Sequence, residues 1–284
     1  MDMRTIRVGD AAVSLINLGD LGFKLMDVEN VPASEWRPKY ADVFENSHPY
    51  PSHSVFISLP KLSVLVDAGD YSLFATPDSP YTIPGYKPPP NLIEQLSEIG
   101  VSKKDIDYVV ITHAHYDHYA GVTVRSEADY VPTFPNAVYF LGKEDFENPE
   151  TQKSLQDPNS DDSHTFGVLW KAKRLELVEE NRRLSAEIEI LASPGESPGH
   201  KIVRLYSGGE TLYCLGDLFH HACEVENPSW MASWDDPRTN LESRQELLSN
   251  ALKENALLAP AHMPLGRVEK TSSGFRFVET RRVE

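Results

Sequence analysis

Apolar positions along the chain switch between a period of two and a period near 3.6. Val55-Phe56-Ile57-Ser58-Leu59 and Ser63-Val64-Leu65-Val66-Asp67 are β-rich runs around Pro60-Lys61, which predicts a hairpin. Leu92, Ile93, Leu96 and Ile99 then fall at helical spacing, with Asn91 as the cap and Gly100 as the stop. Residues 106–112 and 138–141 read as strands. In the C-terminal half, residues 188–191 alternate like a half-exposed strand, and 202–206 and 211–215 flank Gly208-Gly209, a second hairpin signal. Residues 238–254 predict a helix, apolar at 241, 247, 248, 251 and 252.

Two stretches read differently. Residues 77–90 hold six prolines in fourteen positions, which excludes helix or central strand and predicts a loop. Residues 18–53 show no clean period and are also expected to be loop. No repeat and no composition break appears, so residues 1–284 are expected to form a single α/β domain.

Charge narrows the partners. The formal net charge is −16, from 27 Lys and Arg against 43 Asp and Glu. Nucleic-acid binding depends on basic side chains reaching phosphates, so that class is excluded. The first seven residues lack the apolar stretch of a signal peptide, and no run approaches the roughly 18 apolar residues that span a bilayer. With only Cys214 and Cys223, no disulfide framework is expected. These features predict a cytoplasmic protein with no membrane partner.

The chemistry concentrates in His113-Ala114-His115-Tyr116-Asp117-His118. A strand delivers the chain into this run. Where a strand ends, residues two apart point the same way, so His113 and His115 can offer imidazoles to one ion. A turn after them would carry Asp117 and His118 to a second position close by. Imidazole and carboxylate suit zinc and similar first-row ions.

This run resembles the His-x-His-x-Asp-His signature of the metallo-β-lactamase superfamily. The other motifs follow in order: Val66-Asp67-Ala68-Gly69, Ser197-Pro198-Gly199-His200, Leu215-Gly216-Asp217 and Ala261-His262. The resemblance implies a four-layer αββα sandwich, with two mixed β-sheets and helices outside. It also implies two divalent ions, zinc first, with manganese, iron or cobalt as the others these ligands accept. His113, His115 and His200 would hold one ion, Asp117, His118 and His262 the other, and Asp217 would bridge them. Asp67 would support a ligand from behind.

The activity implied is hydrolysis of a lactone or carboxylic ester, acyl-homoserine lactones among them, by a water that two ions ionise between them. Two divalent ions would outweigh Asp117, Asp217 and a hydroxide by one positive charge. Asp117 is the candidate proton shuttle. Asp217 stands where true β-lactamases carry cysteine, and Ala120-Gly121-Val122 departs from the Gly-Gly of glyoxalase-type thioesterases. Segments 233–238 and 254–262 look most like the lactonase and organophosphate-hydrolase branch, so phosphotriesters and thioesters are the alternative substrates. A catalytically silent metal-containing binding protein and a one-iron oxidative enzyme are the competing classes; the seven intact ligands disfavour both. His221, of the pair His220-His221, is expected near metal or substrate. Phe219, Trp230, Trp234 and residues 18–53 are expected to wall the pocket, with 77–90 as a lid. The expected partner is a small-molecule substrate, and a homodimer is the candidate assembly.

Overall fold

Alternation along the strands decides how the layers stack. The structure, a computed structural model, describes residues 3–127 and 129–280; the remainder of the 1–284 domain expectation, including the start and end of the chain, lies outside the described residues. The first strands in chain order are β1 (Arg4–Val8), β2 (Ala11–Phe23), β3 (His48–Leu59), β4 (Leu62–Val66), β5 (Tyr108–Val110), β6 (Thr123–Ser126), β7 (Asp129–Pro132), β8 (Val138–Gly142) and β9 (Leu175–Val178). They are followed by β10 (Arg182–Arg183), β11 (Ile188–Ala192), β12 (Lys201–Ser207), β13 (Glu210–Gly216), β14 (Leu257–Pro260), β15 (Gly266–Thr271) and β16 (Gly274–Glu279).

One seven-stranded sheet has the order β1-β2-β3-β4-β5-β8-β9 and the other runs β10 to β16 in sequence, while β6 and β7 pair separately. Both sheets are mixed: β4, β5, β8 and β9 are parallel neighbours in the first, and β13 and β14 in the second.

Val55, Ile57, Val64 and Val66 face Val203, Leu205, Leu212 and Cys214 in one buried layer between the sheets. The alternate residues Phe56 and Leu65 face the other way and pack on Leu92 and Leu96 of the helix Leu92–Glu98. On the far side, Tyr213 and Leu215 pack under Leu247 and Leu248 of the helix Pro237–Glu254. Period two along each strand therefore yields four layers, helix, sheet, sheet, helix. This is the metallo-β-lactamase fold.

Asn91 caps its helix as expected, and the structure adds the other ends. Asn91 and Glu94 form a reciprocal capping box. Asp236 caps the long helix by accepting from the Thr239 N–H, and Asn255 ends it in the left-handed region at φ 46°.

Residues 18–53 correct the loop expectation. They contain the second half of β2, the helix Ala33–Glu45 and the start of β3. Leu21, Phe23, Trp36, Phe44 and Tyr50 build a further apolar cluster with Trp230. Nearly every residue of β2 is buried, so no polar alternation marks it as a strand. Residues 77–90 form no helix or strand. They are tied to β2 where the Gly22 N–H donates to the Tyr81 carbonyl (2.8 Å) and the Asp20 N–H to the Tyr86 hydroxyl (2.9 Å). No helix among the described residues is long and apolar enough to cross a membrane.

Candidate metal centre

β4 ends at Val66, β5 at Val110, β13 at Gly216 and β14 at Pro260, and the residues after these four ends converge. Asp67 follows the first, His113 and His115 the second, Asp217 the third and His262 the fourth. Gly216 makes the approach possible: at φ 52°, a Cβ there would lie 2.7 Å from Thr112 Oγ1 and 2.8 Å from His200 Nε2.

Two groups of ligand atoms result. His113, His115, Glu196 and Asp217 offer atoms within 4.8 Å of one another, and so do Asp117, His118 and His262. In the first, His115 Nδ1 lies 3.0 Å from Glu196 Oε1, and His113 Nε2 lies 3.5 Å from Glu196 Oε2. In the second, Asp117 Oδ2 lies 3.5 Å from His118 Nε2 and 3.4 Å from His262 Nε2. Asp217 stands between them: Oδ2 is 3.6 Å from His113 Nε2, while Oδ1 is 3.2 Å from both His118 Nε2 and His262 Nε2.

Partners behind the rings fix which nitrogen faces inward. Asp67 Oδ2 accepts from His118 Nδ1 (2.9 Å), and the Pro51 carbonyl accepts from His262 Nδ1 (2.9 Å). Each ring is left with Nε2 as its free face. Asp67 is itself held by the Thr112 N–H and hydroxyl, at 2.8 and 3.0 Å.

The residues fit a metal pair. His113 Nε2, His118 Nε2, Glu196 Oε2 and Asp217 Oδ1 are buried and make no hydrogen bond. An unsatisfied buried polar atom costs about 1–3 kcal/mol, and cations between these atoms would satisfy all four. Charge agrees. Burial and the neighbouring His118 and His115 hold the His113 pKa well below the ordinary imidazole value. Burial also opposes charge on His262, but Asp217 and Asp117 outweigh it and push the pKa up to about 9.

Beside the cluster opens a cavity of about 380 Å³. Asp117, Asp217, His220 and His262 line its polar end, and Leu21, Phe23, Val28, Phe74, Tyr81 and Trp234 its apolar wall.

Residues 48–262 match the family described as the Metallo-beta-lactamase superfamily, three quarters of the chain. The chain belongs to that superfamily. It is 28% identical over 188 residues to metallo-beta-lactamase domain-containing protein 1 of Xenopus laevis, covering 63% of this chain and 64% of that one. It is 26% identical over 180 residues to the N-acyl homoserine lactonase AttM of Azorhizobium caulinodans, covering 61% and 64%. The chain thus spans less than two thirds of these relatives. Two solved structures share the fold: hydrolase AbOPH, with a TM-score of 0.79, 17% identity and 99% and 98% of the chains covered, and the dizinc quorum-quenching lactonase AidC, at 0.77, 21%, 99% and 98%.

Within this superfamily member, His113, His115, Asp117, His118, Asp217, His262 and Asp67 come together around the cluster. His200 does not join the ligand atoms. Its Nδ1 lies 3.0 Å from the Ser193 carbonyl and donates to it, so Nε2 carries the lone pair and accepts the Asp217 N–H at 3.3 Å. Both ring nitrogens are therefore occupied. Glu196, four residues earlier, takes the inward position. The doublet Pro194-Gly195-Glu196 and Pro198-Gly199-His200 repeats one pattern, and only the three-dimensional turn shows which copy faces the cluster.

Three further expectations are corrected. His221 Nδ1 accepts the Cys223 N–H at 3.1 Å, capping a short helix, while His220 faces the cluster with Nε2 3.5 Å from Asp217 Oδ2. Phe219 is fully buried under the Arg244 guanidinium, 4.7 Å from its ring centroid, and does not line the cavity. Trp230 packs edge-on to Tyr40 and Phe44, also away from the cavity.

Asp145 escaped sequence reasoning altogether. Oδ2 accepts the Ala114 N–H (3.2 Å) and the Ser197 hydroxyl (2.8 Å), and Oδ1 accepts the Gly199 N–H (2.6 Å). This one buried carboxylate ties the loop carrying His113 and His115 to the loop carrying Glu196.

Proposed function

We propose that this chain is a metal-dependent hydrolase that opens a lactone or carboxylic ester bearing an apolar acyl group. The observation that carries this reading is the two-faced placement of Asp217, one oxygen toward each group of ligand atoms. His113, His115 and Glu196 would hold one divalent cation, Asp117, His118 and His262 the other, and Asp217 both. Bound there, such a pair supplies a polarising charge for a carbonyl oxygen and brings the ionisation of water near neutral pH.

The chain's own residues do the rest. Asp117 is the most exposed carboxylate of the cluster, 19% against 5% for Asp217 and 0% for Glu196, and it opens onto the cavity. It is placed to take the proton and pass it to the leaving oxygen. His220 stands at the same end of the cavity. Its Nε2 lies 3.5 Å from Asp217 Oδ2, within reach of an oxygen that gains negative charge at that end of the cavity.

Leu21, Phe23, Val28 and Phe74 offer the acyl chain an apolar wall and exclude water from it. Support for lactones comes from the relatives: the AttM proteins are N-acyl homoserine lactonases by name, and the AidC structure is a complex with the product N-hexnoyl-L-homoserine.

A panel of N-acyl homoserine lactones, simple lactones, aryl esters, thioesters and phosphotriesters tests the reading. Lactone or ester turnover is expected, lost by at least a hundredfold in Asp117→Ala. Turnover confined to thioesters or phosphotriesters would overturn the substrate class, and turnover of none would leave a binding protein.

A further inference from the structure

Glu196 changes the chemistry of the position it faces. Its side chain has no exposure, Oε2 makes no hydrogen bond, and both oxygens lie within 3.5 Å of an imidazole nitrogen of His113 or His115. Oε1 is fixed from a second side, where Trp234 Nε1 donates at 3.0 Å. The carboxylate is thus oriented by the protein and aimed at the point where the His113 and His115 nitrogens meet.

With Glu196 included, the cluster holds three carboxylates rather than the two aspartates expected from sequence. Each cation position then receives two imidazoles, one terminal carboxylate and one oxygen of Asp217. Carboxylate oxygen favours manganese(II) relative to zinc, whereas imidazole favours zinc. Zinc binds more tightly than manganese to almost any such site, so the donor set acts on the gap between them.

We propose that Glu196 is a terminal metal ligand that narrows the zinc-over-manganese preference of the position between His113 and His115, allowing this protein to work as a manganese(II) enzyme. The inference rests on the metal-pair reading above. It also removes the surplus positive charge expected from two aspartates, so the loaded centre with a hydroxide is formally neutral and suits an uncharged lactone or ester better than an anionic substrate.

The test is binding, read independently of turnover. Protein stripped with a chelator is titrated with zinc(II) and manganese(II) against a competing indicator, for the unaltered chain, Glu196→His and Glu196→Gln. Glu196→His should widen the ratio of the manganese to the zinc dissociation constant tenfold or more. Glu196→Gln, nearly isosteric, should lower bound metal from two ions per chain to one at micromolar concentration. A ratio in Glu196→His within threefold of the unaltered chain, or two ions retained at unchanged affinity in Glu196→Gln, overturns the proposal and leaves the metal-pair reading standing. An unaltered chain that binds neither cation overturns both.

Discussion

Asp67 Oδ2 and His118 Nδ1 lie 2.9 Å apart, both buried, and this contact sets the inward face of the second cation position. Asp67 reaches it from a left-handed backbone conformation, φ 59°, at the end of β4. Two donors on Thr112 hold the carboxylate in place. The imidazole therefore presents Nε2 to Asp217 and Asp117 with its tautomer already chosen.

Asp67→Asn should weaken metal binding by about 10–100-fold, the usual cost of losing a carboxylate behind a ligating histidine. Competition titration checks this. Unchanged affinity would mean that the contact serves stability alone.

His200→Ala separates a ligand from a structural ring. The His200 nitrogens are taken by the Ser193 carbonyl and the Asp217 N–H, so the variant should keep two bound ions. It should lose about 2–4 kcal/mol of stability in denaturant unfolding, from an unpaired buried N–H and a cavity. Loss of one ion with stability unchanged would restore His200 as a ligand.

Asp145→Ala should destabilise the metal-free protein by about 2–5 kcal/mol, because three donors on two loops lose one acceptor. Its metal affinity should fall as well, since the loops carrying His113, His115 and Glu196 are no longer tied. Unfolding curves and metal titration on the same samples decide between a local and a general effect.

Metal binding should depend on pH with a definite sign. His262 has a pKa of about 9 in the metal-free protein, raised by Asp217 and Asp117 against the opposing effect of burial. A cation takes the neutral ring, so a proton must leave below that value. Apparent affinity should rise by close to tenfold per pH unit around pH 7, less steeply as pH 9 is approached, and then flatten. Calorimetry in buffers of different ionisation enthalpy would report the released proton, and a flat profile would contradict the arrangement.

Much of this was legible where chemistry is local. The hairpin at Gly208-Gly209, the Asn91 cap and the run from His113 to His118 each carry their signal within a few residues. β2 was not legible, because burial on both faces erases the alternation that identifies a strand. Glu196 was hidden for a different reason. Two Pro-Gly-x triplets four residues apart are equivalent in sequence, and the choice between them depends on Asp145, more than fifty residues from His200 and held by contacts no periodicity encodes. His220 and His221 repeat the point at closer range, since His221 turns away to cap a helix by accepting the Cys223 N–H, leaving His220 facing Asp217.

Element analysis of the stripped and reconstituted protein bears most directly on the central claim. Two divalent ions per chain are predicted for the unaltered protein and for His200→Ala, with one ion lost in Asp117→Ala. A saturated, folded sample that holds a single ion, or none, would contradict the paired centre built around Asp217.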